Sequence, residues 1–175
     1  LNIDGNNLSL LNNLANLKKN LDHNEEAISI YEKILLIKPE ELAIMYNLAG
    51  LHNSLGNFEK SKKLYLKMLD LQPNFTEADR MISQMEKYNS QHKHFFSLKE
   101  KLSTMELNDN SLLHLHFALG KAYGDQNKYS ESFENYKKAN DLSKKISNYN
   151  FEQDKKKFTS IKIKFKSLNL SLIHI

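Results

Sequence analysis

The sequence has 175 residues and a formal net charge of +4, with 40% hydrophobic and 26% charged residues. These fractions are typical of a soluble globular chain and exclude a disordered one. No apolar run reaches the roughly 18 to 20 residues that a membrane span needs. The absence of Cys excludes disulfides, thiolate metal sites and a Cys nucleophile. With only five Gly and two Pro, the chain is expected to form long helices.

The first part of the chain repeats itself with a period of 34 residues. Pro39 and Pro73 are 34 positions apart, and aligning them matches NLANLKKNLDHNEEAISIYEKILLIKP with NLAGLHNSLGNFEKSKKLYLKMLDLQP. Each copy has two amphipathic stretches, and the Pro follows the second, where it would end a helix. Gly56 lies where the first helix of its copy should end and can adopt the left-handed conformation common there. The pattern predicts helical hairpins at about residues 8–41 and 42–75.

The next stretch, residues 76–112, is one period plus three residues long. It predicts a degenerate hairpin, with helices at about 76–89 and 94–106, because the small residues of the other copies are missing. Asp109 or Asn110 is expected to cap the helix that follows.

A further clear copy, FALGKAYGDQNKYSESFENYKKANDLSKK, predicts a fourth hairpin at about 113–146. A last helix is expected at about 150–167. Its four large apolar residues recur at helical spacing, which favours a core-facing side. They are Phe151, Phe158, Ile161 and Phe165.

Small and large residues recur at matching places in the three clear copies. Small residues that face each other allow two helix axes to approach closely. On the first helix of each hairpin these are Ala15, Ala49 and Gly120, and on the second they are Ala27, Ser61 and Ser132. A bulky residue follows on each second helix and is expected to fill the space between neighbouring hairpins. These residues are Tyr31, Tyr65 and Tyr136.

This pattern resembles the tetratricopeptide repeat, a helix–turn–helix unit of about 34 residues. The resemblance implies an all-α fold, a right-handed α-solenoid of about four antiparallel helix hairpins plus a terminal helix, covering residues 1–169. Its concave face is lined by the first helix of each hairpin. The implied function is a non-catalytic scaffold that binds a protein or peptide in this groove, and no cofactor is expected.

The resemblance also implies which side chains line the groove. Asn is suited to a peptide backbone because its amide both donates and accepts hydrogen bonds. The groove positions are Asn12, Asn16, Tyr46, Asn47, Asn53, Arg80, Gln84, Lys87, Phe117 and Lys121. The alternative is a solvated polar face without a ligand.

Chaperone-binding members of this family hold a C-terminal carboxylate in a clamp of Asn, Lys and Arg side chains. The matching places here are Asn12, Asn16, Asn47, Glu77 and Met81. A carboxylate needs cationic donors for tight capture, and Glu77 would repel it. We therefore do not expect this clamp.

Residues 76–166 are also similar to the repeat region of bacterial tetratricopeptide–sulfotransferase fusion proteins. The similarity rests on EADRMISQMEKY, LHFALGKAY, YSESFENYKKAN and NYNFEQDKKKF, which follow in this order. It implies an alternative function, as the N-terminal repeat region of a sulfotransferase that uses phosphoadenylyl sulfate. No glycine follows Gly124, so a glycine-containing phosphate loop is missing, and no residue here inherits a catalytic role.

The basic end of the chain and the paired histidines are also considered as binding sites. Residues 137–166 carry ten Lys and three acids, which favours a solvated helix face. Polyanion binding is the alternative, through Lys155–Lys157, Lys162, Lys164 and Lys166, although nucleic acid is not the expected partner. No metal is expected at His92/His94 or His114/His116, because residues two apart on a helix point in nearly opposite directions.

Both ends of the chain suggest a fragment. Residues 170–175, LSLIHI, match a translated transposon end used in preparing sequencing libraries, and we expect them to be non-native. The expected location is the cytoplasm. Because the chain begins with Leu1 rather than Met, a signal peptide before this residue is the alternative that the sequence leaves open. The sequence does not indicate an oligomeric state.

Overall fold

A computed structural model describes residues 7–148 and 151–167. Helices occupy most of these residues, and no strand is found among them. The predicted all-α fold class is therefore confirmed. The helices are α1 (Leu8–Asn20), α2 (Asn24–Ile37), α3 (Leu42–Ser54), α4 (Phe58–Leu71), α5 (Thr76–Met85), α6 (Lys93–Thr104), α7 (Asp109–Asp125), α8 (Tyr129–Ser147) and α9 (Phe151–Ser167).

Consecutive helices pack in pairs, and the pairs stack in chain order. Helices α1 and α2, α3 and α4, and α7 and α8 form close hairpins. The third pair is more open, because α5 packs mainly on α4 and α7, while α6 lies against α7. This stacking makes the chain a solenoid in which each hairpin contacts its neighbours.

The turn inside each close hairpin contains one residue in the left-handed conformation. These residues are Asp22 (φ 59°), Gly56 (φ 76°) and Asn127 (φ 59°), and they occupy the same place in the three aligned copies. The prediction for Gly56 is confirmed. Asp and Asn tolerate this conformation better than most residues that have a side chain.

Asn side chains cap two of the first helices. The Asn7 side chain accepts a hydrogen bond from the Leu10 amide at 3.1 Å, and Asn108 accepts one from the Ser111 amide at 2.9 Å. The prediction that Asp109 or Asn110 caps α7 was wrong, because the cap is Asn108, one or two residues earlier in the chain. Asn108 is preferred because its extended backbone lets the side chain reach the free amides of the first turn.

Within the described part of the chain, the core is divided among three clusters, each shared by successive hairpins. The small residues predicted at the helix crossings are buried, and the Ser132 hydroxyl donates to the Gly120 carbonyl at 2.7 Å. Tyr31 and Tyr65 are fully buried between hairpins, as predicted. The same prediction was wrong for Tyr136, which is 37% exposed because no following hairpin covers it in the described residues.

Helix α5 ends at Met85, four residues before its predicted end. The backbone of Glu86 is extended, and the Tyr88 amide donates to the Asp125 carboxylate on α7 at 2.8 Å. The Glu86 carbonyl accepts a hydrogen bond from Lys121. These contacts to α7 replace the hydrogen bonds that one more helical turn would supply.

The apolar side of α9 does not face a core. Phe151, Phe158, Ile161 and Phe165 are all at least half exposed, so the sequence-based prediction of a core-facing side was wrong. Helical spacing identified the apolar face correctly, but the described residues contain no helix that packs closely against it.

Residues 170–175 lie outside the described residues, so the prediction about their origin is not addressed. Among the described residues, no helix combines the length and apolar character that crossing a membrane would require.

Candidate functional site

The ten predicted groove residues lie on or just after the first helix of each hairpin, namely α1, α3, α5 and α7. We call the face formed by these helices the inner face. At its start, the Tyr31 hydroxyl donates to the Asn16 Oδ1 atom at 2.7 Å, and the Asn16 amide donates to the Asn12 Oδ1 atom at 3.3 Å. Asn16 is thus held by its own hairpin, whereas the amide nitrogen of Asn12 makes no hydrogen bond to another described residue.

Tyr46 joins α3 to the next hairpin. Its hydroxyl donates to the Glu77 carboxylate of α5 at 2.8 Å. Its ring makes edge contacts with Tyr65 and Phe75, at centroid distances of 5.8 and 6.1 Å. Burial, together with the Glu77 carboxylate, raises the pKa of Tyr46 well above its ordinary value. Tyr46 is therefore a neutral hydrogen-bond donor at any physiological pH.

Arg80 joins α5 to α7. Its guanidinium carbon lies 4.2 Å from the centroid of the Phe117 ring, which is a cation–π arrangement. Beside it, burial lowers the pKa of His114, and the Arg80 charge acts in the same direction while Glu77 opposes it. The His114 Nδ1 atom is buried and has no hydrogen-bond partner among the described residues.

Five side chains from three consecutive first helices thus come together, and we call them the central cluster. They are Tyr46, Glu77, Arg80, His114 and Phe117. All five are half-buried, so each is held in place and still reaches the surface. The sequence predicted three of them as groove residues. It did not predict His114 in this role, and it singled out Glu77 only as an obstacle to a carboxylate ligand.

The remaining predicted residues divide into two groups. Asn47 and Asn53 are half-buried, and Gln84 and Lys87 are exposed; none makes a side-chain hydrogen bond to another described residue. Lys121 differs, because its ammonium group donates to the Asp125 carboxylate and to the Glu86 carbonyl and lies 5.2 Å from the Tyr88 ring centroid.

A buried ionic network lies beneath this face and was not predicted from the sequence. Asp79 is fully buried and accepts hydrogen bonds from the Lys101 ammonium at 2.7 and 2.9 Å. The His94 Nε2 atom lies 3.0 Å from Asp79, and its Nδ1 atom lies 2.6 Å from the Tyr88 hydroxyl. An imidazole that donates to Asp79 from Nε2 and accepts from the Tyr88 hydroxyl at Nδ1 satisfies both contacts. The network ties α5 to α6, whose backbones do not pack closely.

Metal binding receives no support from this arrangement. Within the described ranges 7–148 and 151–167, no three His, Asp or Glu side chains are grouped so that they could hold a metal ion. His94 instead contacts Asp79 and Tyr88, and His116 contacts Asn135 at 2.9 Å.

Comparison with family models identifies the repeats. A tetratricopeptide repeat model matches residues 21–101, and a second tetratricopeptide repeat model matches residues 113–146. The chain carries tetratricopeptide repeats. Tetratricopeptide repeats are typically non-catalytic and contact other proteins, so the chain is a repeat scaffold consistent with a role in protein–protein interaction.

Solved structures with this fold support the assignment. MamA is 17% identical, with a TM-score of 0.61 over 83% of this chain and 84% of that one. A tetratricopeptide repeat protein from Parabacteroides merdae is 21% identical, with a TM-score of 0.63 over 83% and 54% of the two chains. MamA from Desulfovibrio magneticus is 16% identical, with a TM-score of 0.60 over 94% and 98%. At these identities the likeness shows the fold alone. A search of curated proteins finds no match.

The repeat alignment explains where the buried network could have been found. Asp79 occupies the same place in its tetratricopeptide repeat as Met45, which is also fully buried. A carboxylate at a place that is apolar in the preceding repeat needs a cationic partner, and Lys101 on the next helix provides it. The sequence signal that could have predicted this network is thus the single carboxylate of Asp79 at a core position of its repeat.

Proposed function

We propose that this chain is a non-catalytic scaffold that binds an extended segment of a partner protein along the inner face of its tetratricopeptide repeats. The observation that carries the proposal is the central cluster. It places a guanidinium, a carboxylate, an imidazole and two aromatic rings side by side, on helices from three successive repeats. Fixed polar and aromatic groups of this kind are typical of the anchor points of protein interfaces.

Amides without a hydrogen-bond partner extend the central cluster along the same face. Asn47 and Asn53 on α3 and Gln84 on α5 make no side-chain hydrogen bonds to other described residues. Each can donate to and accept from the backbone of an extended peptide. Asn16 and Lys121 are already engaged within the fold, so the middle of the inner face is the proposed centre of binding.

A peptide selected from a random library against the whole chain provides a defined ligand for a test. Arg80→Ala removes the cation over Phe117 and is expected to lower the affinity of the chain for that peptide at least tenfold, as measured by isothermal titration calorimetry. Lys63→Ala is the matched control, since Lys63 is an exposed cation on α4, outside the inner face. Equal affinity of native chain and Arg80→Ala, or selection of no peptide, would count against the proposal.

The alternative function is that these repeats precede the catalytic domain of a sulfotransferase. It is supported by the similarity of residues 76–166 to such fusion proteins. The described residues contain no strand followed by a phosphate-binding loop, so any transfer chemistry would belong to a further domain. Sequencing the gene downstream decides between the two: a strand and a Gly-rich loop would support the enzyme, and more 34-residue units would contradict it.

A further inference from the structure

Glu77 and Arg80 are the two formally charged residues of the central cluster, and both lie on α5, three positions apart. Their side chains are half-buried. They form no ion pair with each other or with another described residue. Each side chain instead contacts a different neighbouring first helix, so the two charges are held apart on the inner face.

Glu77 contacts α3, the first helix of the preceding repeat. Its Oε1 atom accepts the hydrogen bond from the Tyr46 hydroxyl at 2.8 Å, and its Oε2 atom makes no hydrogen bond to another described residue. The neutral hydroxyl fixes the carboxylate without cancelling its charge. The free oxygen atom can therefore accept a hydrogen bond from a cationic side chain, and such charge-assisted bonds are about twice as strong as neutral ones.

Arg80 contacts α7, the first helix of the following clear repeat. Its guanidinium carbon lies 4.2 Å from the centroid of the Phe117 ring, and this contact uses none of its N–H groups. None of them donates a hydrogen bond to another described residue. A planar guanidinium that is held on a ring and keeps its donors free is suited to a carboxylate, which can accept two parallel hydrogen bonds from it.

His114 on α7 lies close enough to both charges to be influenced by each. Burial lowers the pKa of His114, while Glu77 raises it and Arg80 lowers it. Because the pKa stays below its ordinary value, the imidazole is neutral at physiological pH and adds no charge to the cluster. The cluster therefore presents one anion and one cation to a bound segment.

We propose that the partner segment carries one basic and one acidic side chain two positions apart, which rests on the function proposed above, the binding of such a segment to the inner face. The basic side chain binds Glu77, and the acidic side chain binds Arg80. An acid alone fits this site poorly, because Glu77 repels it. A neighbouring basic residue removes this conflict, since each half-buried charge of the chain then gains an opposite charge.

The spacing of the two charges supports a separation of two positions in the segment. Residues three apart on a helix have Cβ atoms about 5 to 6 Å apart, and contacts to helices on opposite sides of α5 place the charged ends of Glu77 and Arg80 further apart. In an extended segment, side chains two positions apart point to the same side and lie about 6.5 to 7 Å from each other. The direction in which the segment runs sets which of its two charged residues comes first.

Peptides selected from a random library against the whole chain are the probes, once crosslinking from position 84 has placed them on the inner face. We expect them to share a basic and an acidic residue at this spacing, and each of these two residues is then replaced by Gln. In the chain, Glu77→Gln removes the negative charge but keeps an acceptor for the Tyr46 hydroxyl, and Arg80→Gln removes the cation. Lys63→Gln is the matched control, because it removes an exposed cation outside the inner face. Circular dichroism verifies that all three variants fold.

Loss of the acid of the peptide should lower its affinity for the native chain about tenfold or more, the effect of losing a hydrogen bond to a charged group. The same loss should have little effect on binding to Arg80→Gln. Loss of the basic residue should likewise weaken binding to the native chain and have little effect on binding to Glu77→Gln. Lys63→Gln should respond to both peptide changes as the native chain does.

Two results would overturn this inference and leave the proposed scaffold function intact. One is an equal loss of affinity in the native chain and in the matching variant. The other is a set of peptides that crosslink from position 84 without a basic and an acidic residue at this spacing. If no selected peptide binds the inner face, the proposed function and this inference fail together.

Discussion

Tyr46 on α3 donates its hydroxyl hydrogen to Glu77 on α5 at 2.8 Å, across the boundary between two repeats. The contact lies on the inner face, where we propose that a partner segment binds. The pair therefore has two effects, since it fixes the relative position of two first helices and holds the Glu77 carboxylate in place on that face. Pre-positioned groups of this kind lower the entropy cost of binding.

Tyr46→Phe tests the structural part of this contact. Loss of the hydroxyl should lower the free energy of unfolding in urea by about 0.5 to 1.5 kcal/mol, the ordinary range for a hydrogen bond in a folded protein. Tyr129→Phe is the control, because the Tyr129 hydroxyl donates to Asn127 at an exposed site. Equal stability of native chain and Tyr46→Phe would mean that the contact does not hold the repeats together.

The buried pair of Asp79 and Lys101 yields a second prediction. Lys101→Met leaves a fully buried carboxylate without its cation and should cost about 3 to 5 kcal/mol of unfolding free energy. The double variant Asp79→Leu with Lys101→Met removes both charges and should recover most of that loss.

Urea titration of the two single variants and the double variant gives the coupling between Asp79 and Lys101. Additive losses would show that the two groups act independently, contrary to their hydrogen bonds at 2.7 and 2.9 Å.

The fold could be predicted from the sequence because its signals repeat. Pro39 and Pro73 set the period, and Gly56 marked a turn that proved left-handed. The buried network could not be predicted in the same way, because Asp79, His94 and Lys101 lie in the degenerate hairpin. Their meeting depends on the open geometry of α5 and α6, which no local spacing encodes.

The central cluster was predicted only in part, for a related reason. The resemblance to tetratricopeptide repeats implies which positions on the first helices line the groove, and Tyr46, Arg80 and Phe117 are among them. It does not show which inward side chains touch. Glu77 and His114 join the cluster through distances between neighbouring helices, and these depend on how the repeats stack.

Two glycines within first helices, Gly50 on α3 and Gly120 on α7, give a third prediction. A Cβ atom at Gly120 would lie 2.9 Å from a ring carbon of Tyr136, whereas one at Gly50 would meet nothing closer than 3.9 Å. Ala in a helix interior is favoured over Gly by up to about 1 kcal/mol. Gly50→Ala should therefore stabilise the chain, while Gly120→Ala should destabilise it by about 1 to 3 kcal/mol through overpacking.

Thermal unfolding of the two glycine variants and of Gly120→Ala with Tyr136→Ala provides the measurement. Truncating the Tyr136 ring should remove the overpacking penalty. Tyr136→Ala should therefore lower the stability less in the Gly120→Ala variant than in the native chain. A stabilising effect of Gly120→Ala alone would contradict the contact.

The pKa of His114 gives a pH-dependent prediction. Burial holds this pKa below its ordinary value of 6.5, although Glu77 acts against it, and Arg80 acts in the same direction as burial. As the pH falls below 6.5, the unfolded chain takes up a proton that the folded chain does not, so the free energy of unfolding should fall. The slope should end beneath the folded pKa, where both states are protonated.

His114→Gln removes this contribution, so stability between pH 6.5 and pH 5 should fall less steeply than in the native chain. Urea titrations at four pH values in this window give the comparison. A native-like slope in the variant would show that other groups, such as the buried His52, whose pKa is also lowered, account for the dependence.

The central claim is that the inner face, around the central cluster, is where a partner segment binds. Photo-crosslinking tests it most directly, with a benzoylphenylalanine placed at Gln84, next to that cluster on α5, or at Lys63 on α4. Both positions are exposed, so both variants should fold. With a library-selected peptide, the account predicts crosslinking from position 84 and little from position 63. Crosslinking from position 63 but not from position 84 would contradict it.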